Sequence, residues 1–244
     1  MRPIIADTHT HTISCGHAFS TLAENAKAAA EKGLRFLAHT EHGPALPGGI
    51  SYIYFKILRI LPRFMDRVMI LKGAEVNIMD FDGTLDLEEE MLAKLEWVIA
   101  SYHPPLVAPC TPLEGTRGWM AVAQNPHVDV IGHCGAGRYP FEHRTVIQEF
   151  ARTGKIVEIN NNSLKERPGS TENCPAIAEL CAEYGVPVVV NSDAHIDLDV
   201  GKVNGAMDIL QEIGFPEELI LNADYDRFLA TVQKTSGKIL IDEV

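Results

Sequence analysis

Ile4-Ile5-Ala6-Asp7-Thr8-His9-Thr10-His11 opens the chain, and its reading decides the fold. Residues 4–7 read as a short apolar strand, with two histidines just past its end. Residues two apart on extended backbone project to the same face, so the spacing places Asp7, His9 and His11 together. Near the other end of the chain, the strand at 186–191 runs into Ser192-Asp193-Ala194-His195 and repeats the geometry. Between these two, polar residues recur at the same relative position. His42 follows a strand at 35–39, Glu75 lies near the end of one at 68–77, His103 follows 97–102, and His133 follows 128–132. A further strand is expected at 156–160. Helical patterns fill the intervals at 22–32, 50–66 with a bend near Pro62, 88–95, 113–125, 141–153, 174–184 capped by Asn173, 202–213 and 226–234.

Strands alternating with helices mean parallel strands joined by crossovers. Strands as apolar as Val186-Pro187-Val188-Val189-Val190 are covered on both faces. An open doubly wound sheet and a barrel both satisfy this alternation. The ligand positions separate them, because only a barrel brings the C-terminal ends of all its strands to one face. The expectation is therefore an α/β chain folded as a closed or nearly closed barrel. No linker or composition shift divides it, so residues 1–244 are expected to form a single domain.

The composition of the 244 residues, 46% hydrophobic and 22% charged, is that of a folded globular chain. Asp+Glu number 33 against 21 Lys+Arg, a formal charge of −12. That balance argues against nucleic-acid and anionic-membrane partners. The apolar stretch at the start is too short for a signal peptide. The run at 50–69 is broken by Lys56, Arg59, Pro62, Arg63, Asp66 and Arg67 and cannot span a bilayer. Five cysteines, at 15, 110, 134, 174 and 181, have no framework spacing. They read as reduced thiols of a cytoplasmic protein.

Imidazole and carboxylate groups suit Zn, Mn or Fe. Seven histidines (His9, His11, His17, His42, His103, His133, His195) with Glu75 and Asp193 are too many donors for one ion. At about four ligands per ion with one carboxylate shared, they would hold two or three. His39, His127 and His143 fall within a strand, in a loop and at a helix start, and are read as structural.

Four segments carry a resemblance: Asp7-Thr8-His9-Thr10-His11, His17-Ala18-Phe19-Ser20-Thr21, Thr40-Glu41-His42-Gly43-Pro44 and Asn191-Ser192-Asp193-Ala194-His195. Together they resemble the four motifs of the PHP (polymerase and histidinol phosphatase) superfamily. Gly73-Ala74-Glu75-Val76-Asn77 and Glu158-Ile159-Asn160-Asn161-Asn162-Ser163 look most like its small YcdX-type phosphatases. The resemblance covers residues 4–230. It implies a distorted (β/α)7 barrel of PHP type with three divalent metal ions, Zn first and Mn or Fe as alternatives. Carried over, His9, His11, Glu75 and Asp193 would hold one ion. Glu75, His103 and His133 would hold a second, with Glu75 bridging, and His17, His42 and His195 a third. Two departures stand out: Glu41 where Asp is more usual, and Cys15 and Cys134 beside ligands, where a thiolate could compete for metal.

Such a centre suits a phosphate monoester dianion attacked by metal-bound hydroxide, with Glu75 and Asp193 as its catalytic carboxylates. Candidate phosphate-binding cations are Arg59 and Arg63, Arg138, Lys165 and Arg167. Ser20 and Thr21 read as caps of the first helix. No nucleophile-elbow or P-loop pattern appears. The reading is a metal-dependent phosphatase acting on a small phosphorylated metabolite. Its alternatives are a PHP phosphodiesterase or nuclease and a histidinol-phosphatase-like enzyme.

Overall fold

The computed structural model describes residues 1–237. Eight strands form one sheet: β1 (Ala6–Thr10), β2 (Phe36–His39), β3 (Phe64–Met65), β4 (Val68–Asn77), β5 (Trp97–Ser101), β6 (Val130–Ile131), β7 (Ile156–Asn160) and β8 (Val188–Asn191). Seven of them run parallel in the order β1-β2-β4-β5-β6-β7-β8, while β3 pairs antiparallel with the start of β4. The first and last strands meet at a parallel bridge between Thr10 and Ala194, where the His11 amide donates to the Ala194 carbonyl at 2.9 Å. Lower in the seam a side chain replaces the missing ladder. Buried Asn222 donates to the carbonyls of Ala6 (2.9 Å) and Val190 (2.7 Å) and accepts from the Val190 amide at 3.0 Å. The result is a distorted (β/α)7 barrel.

The helices are α1 (Leu22–Glu31), α2 (Tyr52–Ile57), α3 (Glu89–Leu92), α4 (Pro112–Ala123), α5 (His143–Thr153), α6 (Ser163–Glu166), α7 (Ser170–Tyr184), α8 (Asn204–Glu212) and α9 (Tyr225–Ser236). Thr21 with Glu24 and Thr111 with Glu114 form capping boxes that start α1 and α4, each cap contributing about 1 kcal/mol. Thr21 thus fills the capping role expected of it, whereas Ser20 exchanges hydrogen bonds with Asp197. Inside the barrel, Phe36, Met69, Leu71, Trp97, Ile99, Val130 and Val189 pack with Phe228, Leu229 and Val232 of α9. α9 therefore closes the end of the barrel away from the histidines. Among the described residues no helix is long and apolar enough to cross a membrane. All five cysteines are free thiols.

Three local expectations change. The segment 50–66 is not one bent helix: α2 stops at Ile57, a 3-10 turn follows, and the chain then turns into the β3–β4 hairpin. α7 begins at Ser170 rather than 174, after Gly169 at φ 89°. Asn173 therefore lies inside the helix, and its amide donates to the Gly135 carbonyl at 2.9 Å, pinning the loop after β6. The helix expected at 88–95 spans only Glu89–Leu92.

Candidate metal centre

The first strand departs from simple alternation where it matters. Its register against β2 shifts between Asp7 and Thr10. Ala6 packs in the barrel interior, and so do the imidazoles three and five residues later, an odd and then an odd spacing that plain strand geometry forbids. A bulge of this kind re-aims side chains next to a site. It also removes Asp7 from the cluster. The Asp7 carboxylate instead accepts from the amides of Ser192 (3.2 Å) and Gly201 (2.7 Å) and from the Ser192 hydroxyl, fastening the loop after β8.

The remaining donors converge on Glu75, which β4 carries into the barrel mouth. One carboxylate oxygen, Oε2, lies 3.2 Å from His9 Nε2, 3.5 Å from His11 Nε2 and 2.8 Å from His42 Nδ1. The other, Oε1, lies 3.2 Å from His103 Nε2 and 3.0 Å from His133 Nε2. Asp193 Oδ1 faces His9 Nε2 at 3.6 Å and His11 Nε2 at 3.3 Å, and Oδ2 faces His133 Nε2 at 3.7 Å. The rings of His17, His42 and His195 form a second tier: His17 lies 5.0 Å from each of the other two, and His11 stacks on His195 at 4.4 Å. All nine residues are thus brought to one place. His42 stands between the tiers, stacked on His11 at 4.2 Å.

Both Glu75 oxygens, Asp193 Oδ1 and the Nε2 atoms of His9, His11 and His103 are buried without a hydrogen bond. Leaving one such group unsatisfied costs on the order of 1–3 kcal/mol. Six in one cluster need a common partner, and lone pairs of imidazole and carboxylate fit divalent cations. The outward ring atoms are held instead. His9 Nδ1 meets Glu158 at 2.7 Å, His103 Nδ1 meets Asn77 Oδ1 at 2.8 Å, and His133 Nδ1 meets Ser163 Oγ at 2.7 Å. His17 Nδ1 and His195 Nδ1 meet the carbonyls of Cys15 (3.1 Å) and Asp193 (3.0 Å). Metal-ligating histidines characteristically show this division, one nitrogen inward and the other fixed by the protein. His133 and Asp193 also sit at φ 52° and 56°, left-handed backbone that side-chain-bearing residues rarely adopt.

Charge follows the same geometry. Burial pushes Glu75 toward its neutral form, but the facing imidazoles of His103, His9 and His42 outweigh it and hold its carboxyl well below the ordinary range. Asp193 is held low in the same way by His9 and its other imidazole neighbours. Burial, reinforced by the charge of His11, depresses His42 strongly and lowers His195 to about 4. His11 goes the other way. Burial opposes its charge, but the facing carboxylates of Asp193 (3.3 Å) and Glu41 (3.8 Å) outweigh it and raise it to about 9.

No family model matches the chain. A probable phosphatase of Caldanaerobacter subterraneus subsp. tengcongensis is 44% identical over 238 residues, covering 97% of this chain and 94% of that protein. A probable phosphatase of Clostridium novyi is 42% identical over 236 residues, covering 96% of each. In structure, the histidinol phosphate phosphatase of Lactococcus lactis, solved with zinc, L-histidinol and phosphate, aligns over 86% of this chain and 94% of its own. Its TM-score is 0.60 at 15% identity, a likeness of fold. The chain belongs to the PHP superfamily. Its nearly closed seven-strand barrel is the PHP architecture, and a metal-binding phosphatase is what its relatives and its cluster of donors support.

The five cations expected to bind phosphate separate in the PHP barrel. Arg138 and Arg167 line a cavity of about 440 Å³ over the imidazoles, together with Leu46, Pro104 and Tyr139. Lys165 lines an adjoining cavity of about 520 Å³ that shares His17, Asp193 and His195. Arg63 is corrected. It makes a two-pronged pair with Glu96 at 2.8 and 2.7 Å at the start of the strands, the opposite end of the barrel. Arg59, on the 3-10 turn after α2, is exposed and lines neither cavity. The histidines read as structural stay outside the cluster: His39 meets the Tyr54 hydroxyl at 2.7 Å, His127 faces Glu89, and His143 packs on Phe141. Glu158, Asn77 and Ser163 stood in the sequence only within the segments of resemblance, with no role at the site assigned to them. For Glu158 a signal was available, since an acid in the middle of Ile156-Val157-Glu158-Ile159-Asn160 breaks an otherwise apolar strand.

Proposed function

We propose that this protein hydrolyses small phosphate monoesters at a centre of three divalent ions, zinc first among them, held by His9, His11, His17, His42, Glu75, His103, His133, Asp193 and His195. The observation that carries the reading is Glu75: its two oxygens face separate sets of imidazoles, as a carboxylate shared by two cations does, and neither has a hydrogen bond. Bound there, such ions lower the pKa of water toward neutrality and offset the charge of the phosphoryl oxygens.

The chain's own groups do the rest. His42 and His195, held neutral by burial, keep lone pairs available near pH 7. Asp193 stays ionised and borders the cavity, so its Oδ2 is placed to accept a proton from the attacking water. Arg138 and Arg167 have no carboxylate partner among the described residues, in a chain of formal charge −12. Arg167 is steadied by a hydrogen bond to the Tyr102 carbonyl at 3.2 Å, leaving other N–H groups to meet phosphate oxygens. Lys165 guards the second opening. Leu46, Pro104 and Tyr139 offer an apolar wall to the alcohol portion, and the cavity volume suits a small metabolite.

The test is phosphate release from an aryl phosphate and from a panel of phosphorylated metabolites, with zinc, manganese and iron supplied separately. Turnover that stops with chelator and returns with metal supports the reading. Faster turnover of diesters than of monoesters replaces it with a phosphodiesterase.

A further inference from the structure

β7 is the one strand of the barrel whose end supplies none of the nine donors, yet its inward face carries a buried carboxylate. Glu158 Oε1 accepts from His9 Nδ1 at 2.7 Å and from Asn191 Nδ2 at 2.9 Å. Its Oε2 accepts from the His133 amide at 3.2 Å and Asn160 Nδ2 at 3.1 Å. One side chain thus holds two residues assigned to different ions: the ring of His9 and the left-handed backbone of His133. Both of its amide partners are themselves fixed. Asn191 Oδ1 accepts from the amide and hydroxyl of Thr8, and Asn160 Oδ1 accepts from the Ser163 amide, whose hydroxyl meets His133 Nδ1.

We propose that Glu158 is the positioning residue of the metal centre, setting the tautomer of His9 and the backbone of His133; this rests on reading those two histidines as ligands. An ionised carboxylate only accepts. Facing Glu158, the His9 proton must therefore sit on Nδ1, which leaves the Nε2 lone pair directed at Glu75 and Asp193. A glutamine in its place has one oxygen and one NH2 for the same four N–H donors. If its NH2 turns toward His9, it favours the opposite tautomer and puts a proton on Nε2, where an ion would bind. If it turns toward His133, it opposes that residue's amide N–H. Either orientation loosens one of the two ligands.

The experiment compares wild type, Glu158→Gln and Glu158→Asp, each stripped with chelator and reloaded with zinc. The readouts are zinc bound per chain, the rate of zinc loss to a competing chelator, the melting temperature of the metal-free protein, and kcat and KM for an aryl phosphate. The expected result for Glu158→Gln is a metal-free fold like wild type with zinc held roughly 10- to 100-fold less tightly. Its kcat for an aryl phosphate falls more than its KM changes, and Glu158→Asp, which keeps the charge, recovers part of the loss. Wild-type zinc retention by Glu158→Gln overturns the proposal. So does loss of the metal-free fold in both variants, which makes Glu158 a stability residue. A wild-type protein that binds no zinc, manganese or iron is a different outcome and overturns the reading of the site itself.

Discussion

The two ends of the barrel treat buried polar groups in opposite ways. At the start of the strands, Arg63 pairs with Glu96, which also accepts the Lys72 amide at 3.0 Å. Nearby, Lys155 donates to the carbonyls of Asn125 and Val128 at 2.6 Å each, and Asp129 accepts the Val98 amide at 2.8 Å. α9 then seals the interior with Phe228, Leu229 and Val232. At the other end, Glu75, Asp193 and three imidazoles face one another with buried atoms that have no hydrogen bond. The first arrangement stabilises the fold by pairing the charged groups it buries, with the Trp97 indole N–H left as an exception. The second leaves polar atoms waiting for a partner from outside the chain, while backbone strain at His133 and Asp193 is kept in place. In this molecule stability and chemistry are divided by end, as in barrels generally.

The largest effect that would break this division is at Glu75. Glu75→Gln should lose about two of three ions and reduce phosphate release by roughly 100-fold or more, while circular dichroism and the melting temperature of the metal-free protein stay near wild type. If it keeps its metals and turnover, Glu75 is not shared between ions. The mirror experiment is Arg63→Met. Arg63 is part-buried and Glu96 buried; breaking a fully buried pair costs roughly 3–5 kcal/mol, so denaturant unfolding should show a loss of about 2–3 kcal/mol, with metal content per folded chain unchanged. Loss of metal without loss of stability would reverse the roles of the two ends.

The pH dependence sharpens the contrast at the site. In the metal-free protein His11 is raised to about 9 from an ordinary 6.5. A base raised on folding contributes stability that is full below 6.5 and is lost as pH climbs through 9. The melting temperature of the metal-free protein should therefore fall across that window. Metal affinity should rise over the same window, because an ion must displace the proton. Parallel trends in the two measurements would contradict the assignment. The smallest effect belongs to the sealed end. Burial raises Asp129 to about 7, against the pull of the Val98 amide and of Lys155. An acid raised on folding costs stability above 3.8, and the cost is complete above 7. Asp129→Asn should accordingly gain about 1 kcal/mol or more at pH 8 and almost nothing near pH 3, with metal content unaffected.

Much of this was legible in the chain. Strand alternation and the polar residues at six of the seven strand ends were enough for a barrel and for the convergence of eight donors; the place of His17, in the loop after β1, came with the resemblance. What escaped was whatever depends on the third dimension. The bulge in β1 turns Asp7 away from His9 and His11, and no period-two reading can contain it. Arg63 looked like a phosphate ligand because its charge was visible and Glu96, 33 residues later, was not a visible partner. The segment 50–66 had the apolar spacing of a helix, yet pairing with β4 claimed its last residues for a hairpin. Glu158 and Asn222 are single polar residues whose roles rest on partners up to 216 residues away.

The most direct test of the account is the metal content of protein prepared without chelator, measured by elemental analysis on the same sample assayed for phosphate release. Nine donor residues, with Glu75 as the shared one, predict close to three divalent ions per chain and activity that rises with occupancy. A fully active protein carrying one ion or none would contradict it.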